Sequence, residues 1–422
     1  MDYLRKRSTL AEFSGAFGDM GTLLPILVAL TQHDQISLSA SLLFGGIFNI
    51  VSGLYFDIPI SVQPMKSIAA IALLGNLSMG EIASAGLLVS SICVLLSITG
   101  GIKYLNSLIP LYLVRGIQLG TALSLISKGI SQIKESNQWY FLHQGWTDNF
   151  VLAILASLFV ISTWKLKQTP TALVLFLLGI VISIAKSGVS VPPGISFITP
   201  FAPTAAEFAS GAWRAGLGQL PLTLLNSVIA TAALADDLFP EKARPVASVT
   251  VVSMGVGLMN LICVWFGSMS WCLGSGGLGA QYRFGARSGL SVVFLGVLKM
   301  IAGIFFGKSL VGVFKGIPNS IVGVMLVVAG MQLALVTADL GSFATISKRN
   351  DAYFVMILTG VVVLGFANDG IGFVAGAVAA LVFHYTNRWY DREAGFDPET
   401  NREGTEIEEP QSSATIAEVP LK

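Results

Sequence analysis

The chain has 422 residues, 53% of them hydrophobic and 12% charged, with a mean hydropathy of +0.74 and a net charge of +1. A soluble chain carries roughly 25% charged residues. Half that density excludes a nucleic-acid binder, a solvated enzyme and a disordered chain, and points to a protein that crosses a membrane many times.

Taken in chain order, apolar segments are expected near 13–31, 38–56, 58–74, 82–100, 105–126, 149–164 and 171–185, then near 215–235, 246–266, 270–281, 288–306, 316–336, 353–367 and 371–386. The runs 35–56, 82–102, 215–235, 316–338 and 352–368 contain no charge at all and match a helix crossing a ~30 Å hydrocarbon core. Residues 245–282 are also charge-free but too long for one crossing, and glycines crowd their second half, so a full span followed by a short, broken one is expected. Between the two sets of seven, Pro192, Pro193, Pro200 and Pro203 predict a non-helical linker. The expected fold class is therefore an all-α polytopic membrane protein of about fourteen transmembrane segments. Its domains would be a first repeat over 1–190, a Pro-rich linker over 191–214, a second repeat over 215–386 and a disordered tail over 387–422.

Three pairs of short matches recur in the same order in the two halves: Leu24-Pro25 with Leu220-Pro221, Phe48-Asn49-Ile50 with Met259-Asn260-Leu261, and Ile109-Pro110 with Ile317-Pro318. Seven spans is an odd number, so the second copy must lie upside down relative to the first, as in the inverted repeats of secondary transporters. With the N-terminus inside, one face collects Arg5, Lys6, Arg7, Lys103, Lys165, Lys167, Lys242, Arg244, Arg283, Arg287, Lys348, Arg349, Arg388, Arg392, Arg402 and Lys422. The other face collects Lys128, Lys134, Lys186, Arg214, Lys308 and Lys315. This bias predicts both termini in the cytoplasm. The first apolar segment contains Asp19 and lacks a small-residue cleavage site, so no cleaved signal peptide is expected. The plasma membrane is the expected location, with an organelle membrane as the alternative.

In an inverted-repeat carrier the substrate sits near the midplane, against short broken helices at matching places in the two halves. Spans three and ten fit. In the first, Pro59 and Pro64 forbid a continuous helix, and Pro64 suits a first helical position, with Lys66 one turn in. In the second, Gly274, Gly276, Gly277 and Gly279 leave backbone N–H groups open beside Ser275 and Gln281. Two facing helix N-termini make an anion site without a metal. The candidate substrate-binding set is Gln63, Pro64, Lys66, Ser275, Gly276, Gly277 and Gln281, with Gln219 and Asn226 of span eight as hydrogen-bond donors that could equally hold helices together. Lys66 would supply a full charge, the alternative being an ion pair with Asp57 or snorkelling. Asp19 is a candidate for carrying a coupling proton, the alternative being a pair with a basic loop residue or a helix cap; Arg115 could attract anions or pair with Asp19, and Lys299 is expected to snorkel. Gly303 is expected to tolerate alanine.

The glycine run also spells GxGxxG, but no strand pattern precedes it and no acid follows before Asp339, so a dinucleotide site is not expected. Cys93, Cys263 and Cys272 have no metal-ligand spacing, and His33, His143 and His384 are isolated. No cofactor, no metal and no catalytic pair of nucleophile and base is read.

Phe17-Gly18-Asp19-Met20-Gly21-Thr22, the run Pro59 to Ala70 with its Val-Gln-Pro-Met-Lys core, Gln219-Leu220-Pro221-Leu222-Thr223-Leu224-Leu225-Asn226-Ser227 and Gly274 through Gly289 resemble the molybdate transporter family, which is related to the SulP sulfate permeases. The resemblance implies seven plus seven inverted segments, a core and a gate domain, and an oxyanion held between spans three and ten. It implies molybdate as substrate, with sulfate as the nearest alternative and an anion channel as a further one. Lipid is then a partner, nucleic acid is not, and the oligomeric state stays open between monomer and homodimer. Two departures from SulP stand out: the tail after Tyr390 is too short for a STAS domain, and Gly277 stands where many relatives carry a basic residue.

Overall fold

The computed structural model describes residues 10–17, 20–102, 104, 110–135, 148–164, 171–187, 194, 196, 198–240, 242, 247–283, 285–338, 340 and 346–393. It divides into two compact units, residues 1–377 and 378–422. The first half forms helices α1 (Leu10–Ala16), α2 (Met20–Gln32), α3 (Leu38–Phe56), α4 (Lys66–Gly75), α5 (Met79–Thr99), α6 (Leu111–Glu135), α7 (Phe150–Thr163) and α8 (Thr171–Ser187). The second forms α9 (Ala205–Leu238), α10 (Val249–Cys263), α11 (Ser275–Arg283), α12 (Leu290–Gly316), α13 (Asn319–Val336), α14 (Ile346–Phe366) and α15 (Asp369–Glu393). Two three-residue strands, β1 (Val62–Pro64) before α4 and β2 (Trp271–Leu273) before α11, pair antiparallel.

Helix boundaries follow local chemistry. Ser37 caps α3 through Ala40 N, and Asp57 ends it in the left-handed region. Ser78 and Glu81 form a reciprocal capping box at α5, and Thr204 and Glu207 form another at α9. Pro110 and Pro318 stand immediately before α6 and α13. Their carbonyls accept from Leu113 and Val114 in one case and from Ile321 and Val322 in the other, so the Ile-Pro echo marks equivalent helix starts. Pro25 and Pro221 both lie inside helices, and π-helical turns flank the segment that holds Pro221.

Lipid offers no hydrophobic drive between helices, so close backbone approach must hold them together. A methyl group added to Gly46 of α3 would fall 2.6 Å from the Gly296 carbonyl of α12, and one added to Gly296 would fall 2.6 Å from the Gly46 carbonyl. Gly129 of α6 and Gly323 of α13 repeat this reciprocity at 2.5 Å. The pairing pattern is itself two-fold: α3 packs on α12 and α5 on α10, while α6 packs on α13. Second with fourth, fourth with second and fifth with fifth is the pattern of an inverted repeat. The ion pairs Lys242–Asp57 (3.0 Å), Arg214–Glu81 (3.2 Å) and Lys315–Asp34 (2.6 Å) each join segments that alternation puts on one face.

By length and composition, seven helices among the described residues can cross a membrane, or eight if the pair 309–316 and 319–335, bent by 86°, is one span. Shorter apolar helices lie at Leu23–Gln32, Lys66–Gly75, Phe150–Thr163 and Leu173–Lys186. Four expectations need correction. The 191–214 linker is helical from Ala205 onward, because the Thr204 capping box starts a helix directly after Pro203. The last helix runs to Glu393 rather than 386, since neither Gly nor Pro interrupts the chain before Gly395. The all-α reading missed the β1–β2 ribbon, and a strand does precede the glycine run, although its partner is antiparallel and no βαβ unit results. Pro64 is the last residue of β1, opposite Trp271, so Met65 caps α4 and Lys66 is its first residue rather than one turn in.

Candidate functional site

The ribbon is what brings the two short helices together. Met65 N donates to the Ser270 carbonyl at 2.9 Å, and Gln63 faces Cys272 in the register. Antiparallel pairing sends the chain out of β1 and β2 in opposite directions, so α4 and α11 start at opposite ends of a three-residue ribbon, roughly 10 Å long at ordinary strand rise.

Each strand is pinned by an asparagine of the preceding helix. Val62 N donates to Asn49 Oδ1 at 2.7 Å. Trp271 N donates to Asn260 Oδ1 at 2.6 Å, and Asn260 Nδ2 donates to the Trp271 carbonyl at 2.6 Å and the Val256 carbonyl at 2.8 Å. Val62 and Trp271 are the first residues of their strands, so the Asn49/Asn260 echo performs one task twice. Ser52 Oγ donates to the Ile60 carbonyl at 2.8 Å, and Thr231 Oγ1 donates to the Leu273 carbonyl at 3.0 Å.

Gln63 is buried, and its amide lies flat against the start of α11: a Cβ on Gly274 would collide with Gln63 Oε1, and one on Gly277 would collide with Ser61 Oγ. Gly276, by contrast, is exposed, and the nearest atom to a Cβ built there is Lys66 Nζ at 3.9 Å. The Gly274 carbonyl accepts from Gly277 N (3.1 Å) and Leu278 N (3.2 Å). The amide of Gly276, in the first turn, has no intrahelical carbonyl to reach. The two ends differ. At α4, Gln219 Oε1 accepts from Ser67 N (3.1 Å) and Ile68 N (3.3 Å), and Gln219 Nε2 donates to Thr223 Oγ1 at 2.9 Å. Gln219 therefore caps α4 from behind, and α11 is left as the end that offers amides.

Gln63, Lys66, Ser275, Gly276 and Gly277 are thus gathered at one place, with Pro64 in the ribbon below. Asp57 pairs with Lys242, and among the described residues Lys66 has no ion-pair or hydrogen-bond partner. Gln281 lies two turns along α11, where its Oε1 accepts from Ser291 Oγ at 3.0 Å. Arg115 of α6 donates to Gln118 Oε1 at 3.0 Å. Asp19, His143 and the side chain of Asn226 lie outside the described residues. Lys299 does not snorkel: it is 6% exposed, with Nζ 5.5 Å from the Trp271 ring centroid, because the ring offers a cation–π face inside the protein. Gly303 is not tolerant either, since a methyl there would fall 2.9 Å from Leu43 N. Cys93, Cys263 and Cys272 are free thiols and buried.

The inverted-repeat membrane fold that holds this ribbon and its two short helices is shared with solved membrane proteins. The fold matches that of SLC26A9 at TM-score 0.61 and 12% identity, covering 91% of this chain and 66% of that one. It matches the transmembrane domain of the cyanobacterial bicarbonate transporter BicA at TM-score 0.59 and 15% identity, covering 86% and 97%. A family profile described as "Molybdate transporter of MFS superfamily" matches residues 11–125 and 211–333. The chain is 37% identical to Molybdate transporter 2 of Arabidopsis thaliana, over 90% of this chain and 89% of that protein. It is 30% identical to Molybdate transporter 1 of Chlamydomonas reinhardtii, over 88% and 90%. This chain belongs to the molybdate transporter family.

Proposed function

We propose that this protein is a secondary carrier that moves molybdate across a membrane by alternating access, binding it between Lys66 and the first turn of α11. The observation that carries the reading is the Lys66 ammonium, unpaired among the described residues and 3.9 Å from the Cβ position of an exposed Gly276, whose first-turn amide has no intrahelical carbonyl to reach. A tetrahedral dianion can accept from the ammonium through one oxygen and from the Gly276 amide through another, and charge-assisted bonds of this kind are about twice as strong as neutral ones. The names of the 37%-identical relatives support molybdate over other oxyanions.

The two repeats are read as 1–190 and 215–386, with the helical start at Ala205 belonging to the second. Both termini are read as cytoplasmic in the plasma membrane, from the bias of Lys and Arg. The three ion pairs that join segments of one face support the alternation of spans behind that reading.

Purified protein in liposomes, offered molybdate with increasing sulfate, tests this. Saturable molybdate uptake is expected, accelerated by molybdate loaded on the opposite side and little reduced by equimolar sulfate. Equal uptake of sulfate would make this a sulfate carrier, and flux that neither saturates nor responds to counter-substrate would make it a channel.

A further inference from the structure

Bonded to the residue after Lys66 is an acid that, among the described residues, pairs with no cation. Asp369, the first residue of α15, is fully buried at 0% exposure. Its Oδ2 accepts from Ser67 Oγ, on the residue that follows Lys66, and among the described residues its Oδ1 has no hydrogen-bond partner. A methyl group on Gly218 would collide with Asp369 Cβ, so α9 closes over the carboxyl group one residue before the capping Gln219. Asn368 caps α15 by accepting from Ile371 N at 3.0 Å.

Among the described residues, α4 carries Lys66, and α9, whose Gly218 packs on Asp369, carries Glu207, Arg214, Asp236 and Asp237. Arg214 is engaged with Glu81 of α5 (3.2 Å) and the Gly75 carbonyl (2.9 Å), and neither cation bonds to Asp369. A carboxylate buried without a cation is costly, whereas the neutral acid is not. The start of α15 contributes about half a positive charge, which brings ionisation back within reach. Charge placed beside Asp369 therefore bears directly on which of its two states is held.

We propose that Asp369 is the proton-binding site of the transport cycle, taking up one proton when molybdate binds and releasing it when molybdate leaves. The proposal rests on the anion reading above. A dianion beside Lys66 adds negative charge two residues' reach from Asp369 and favours its protonation. By linkage, the protonated acid favours the anion by the same factor. The step balances: a proton from water on the side of binding becomes the O–H of Asp369, and that bond breaks to water on the side of release. Each proton carried reduces the cost of moving a dianion inward, about 2.3 kcal/mol per charge per 100 mV.

The test is proton uptake on molybdate addition, read with an indicator dye in weakly buffered detergent solution, beside molybdate binding measured by calorimetry. The parent protein is expected to take up protons on molybdate addition, up to one per molybdate as the pH is raised, and Asp369→Asn to bind molybdate with none. Asp369→Glu, which keeps the carboxyl group should the Asn variant fail to fold, is expected to move the pH midpoint of affinity while retaining proton uptake. Absence of binding by the parent would overturn the anion reading. Binding by the parent without proton uptake at any pH, full uptake in Asp369→Asn or an unmoved midpoint in Asp369→Glu would overturn the role of Asp369.

Discussion

Replacing Lys66 with alanine should raise the molybdate concentration needed for half-maximal uptake by roughly 10- to 100-fold, the span expected when a hydrogen bond from a charged group, worth about 1.5–3 kcal/mol, is removed. Protein level and thermal stability should hardly change. The asymmetry follows from the surroundings: no described acid is paired with Lys66, so its removal orphans no buried countercharge, and a costly charge leaves the membrane interior. Uptake measured in liposomes, alongside melting of the detergent-solubilised protein, separates the two effects. Unchanged affinity would assign Lys66 a purely structural role.

The glycines of α11 should respond in three different ways. Gly277→Leu should cost more than a typical overpacking loss of 1–3 kcal/mol, because even its Cβ collides with Ser61 Oγ and lies 2.7 Å from Gln63 Nε2. Little folded protein is expected. Gly276→Leu should reach the membrane at normal level yet lose transport, since its side chain points where only Lys66 Nζ approaches. Gly279→Ala should be mild in both respects, the nearest atom to the added methyl being Leu234 Cδ2 at 3.7 Å. Fluorescence-detected chromatography and uptake read the two axes. Equal damage from Gly276→Leu and Gly277→Leu in folded protein would mean that the run serves only to pack helices.

Much of this architecture is legible in the sequence because lipid imposes a simple code. Charge-free runs mark crossings, and the Pro59/Pro64 and Gly274/Gly279 clusters mark the places where a crossing breaks. Lys66 and Gly276 could be brought together by symmetry alone. The ribbon could not be foreseen, since three apolar residues such as Trp271-Cys272-Leu273 read the same in a strand as in a helix. Gln219 was legible as a polar group at substrate depth, but its direction was not: sequence places it on α9 without saying that it faces the amides of Ser67 and Ile68. The Asn49/Asn260 echo carried a role that short-range reasoning missed, because the atoms it holds are eleven to thirteen residues away. Asp369 was not singled out, because it falls in the gap between the segments expected at 353–367 and 371–386. The gap there between two apolar runs is too short for a loop that reaches water, which was the available signal.

The central claim is that molybdate sits between Lys66 and the first turn of α11. It is tested most directly by locating molybdenum, through its anomalous scattering, in crystals of the protein grown with molybdate. A single peak is expected about 4 Å from both Lys66 Nζ and the Gly276 amide nitrogen, the distance set by one oxygen and one charge-assisted hydrogen bond. That peak should vanish in Lys66→Ala at the same molybdate concentration. Molybdenum bound elsewhere, with the space between Lys66 and Gly276 holding only water, would contradict the claim.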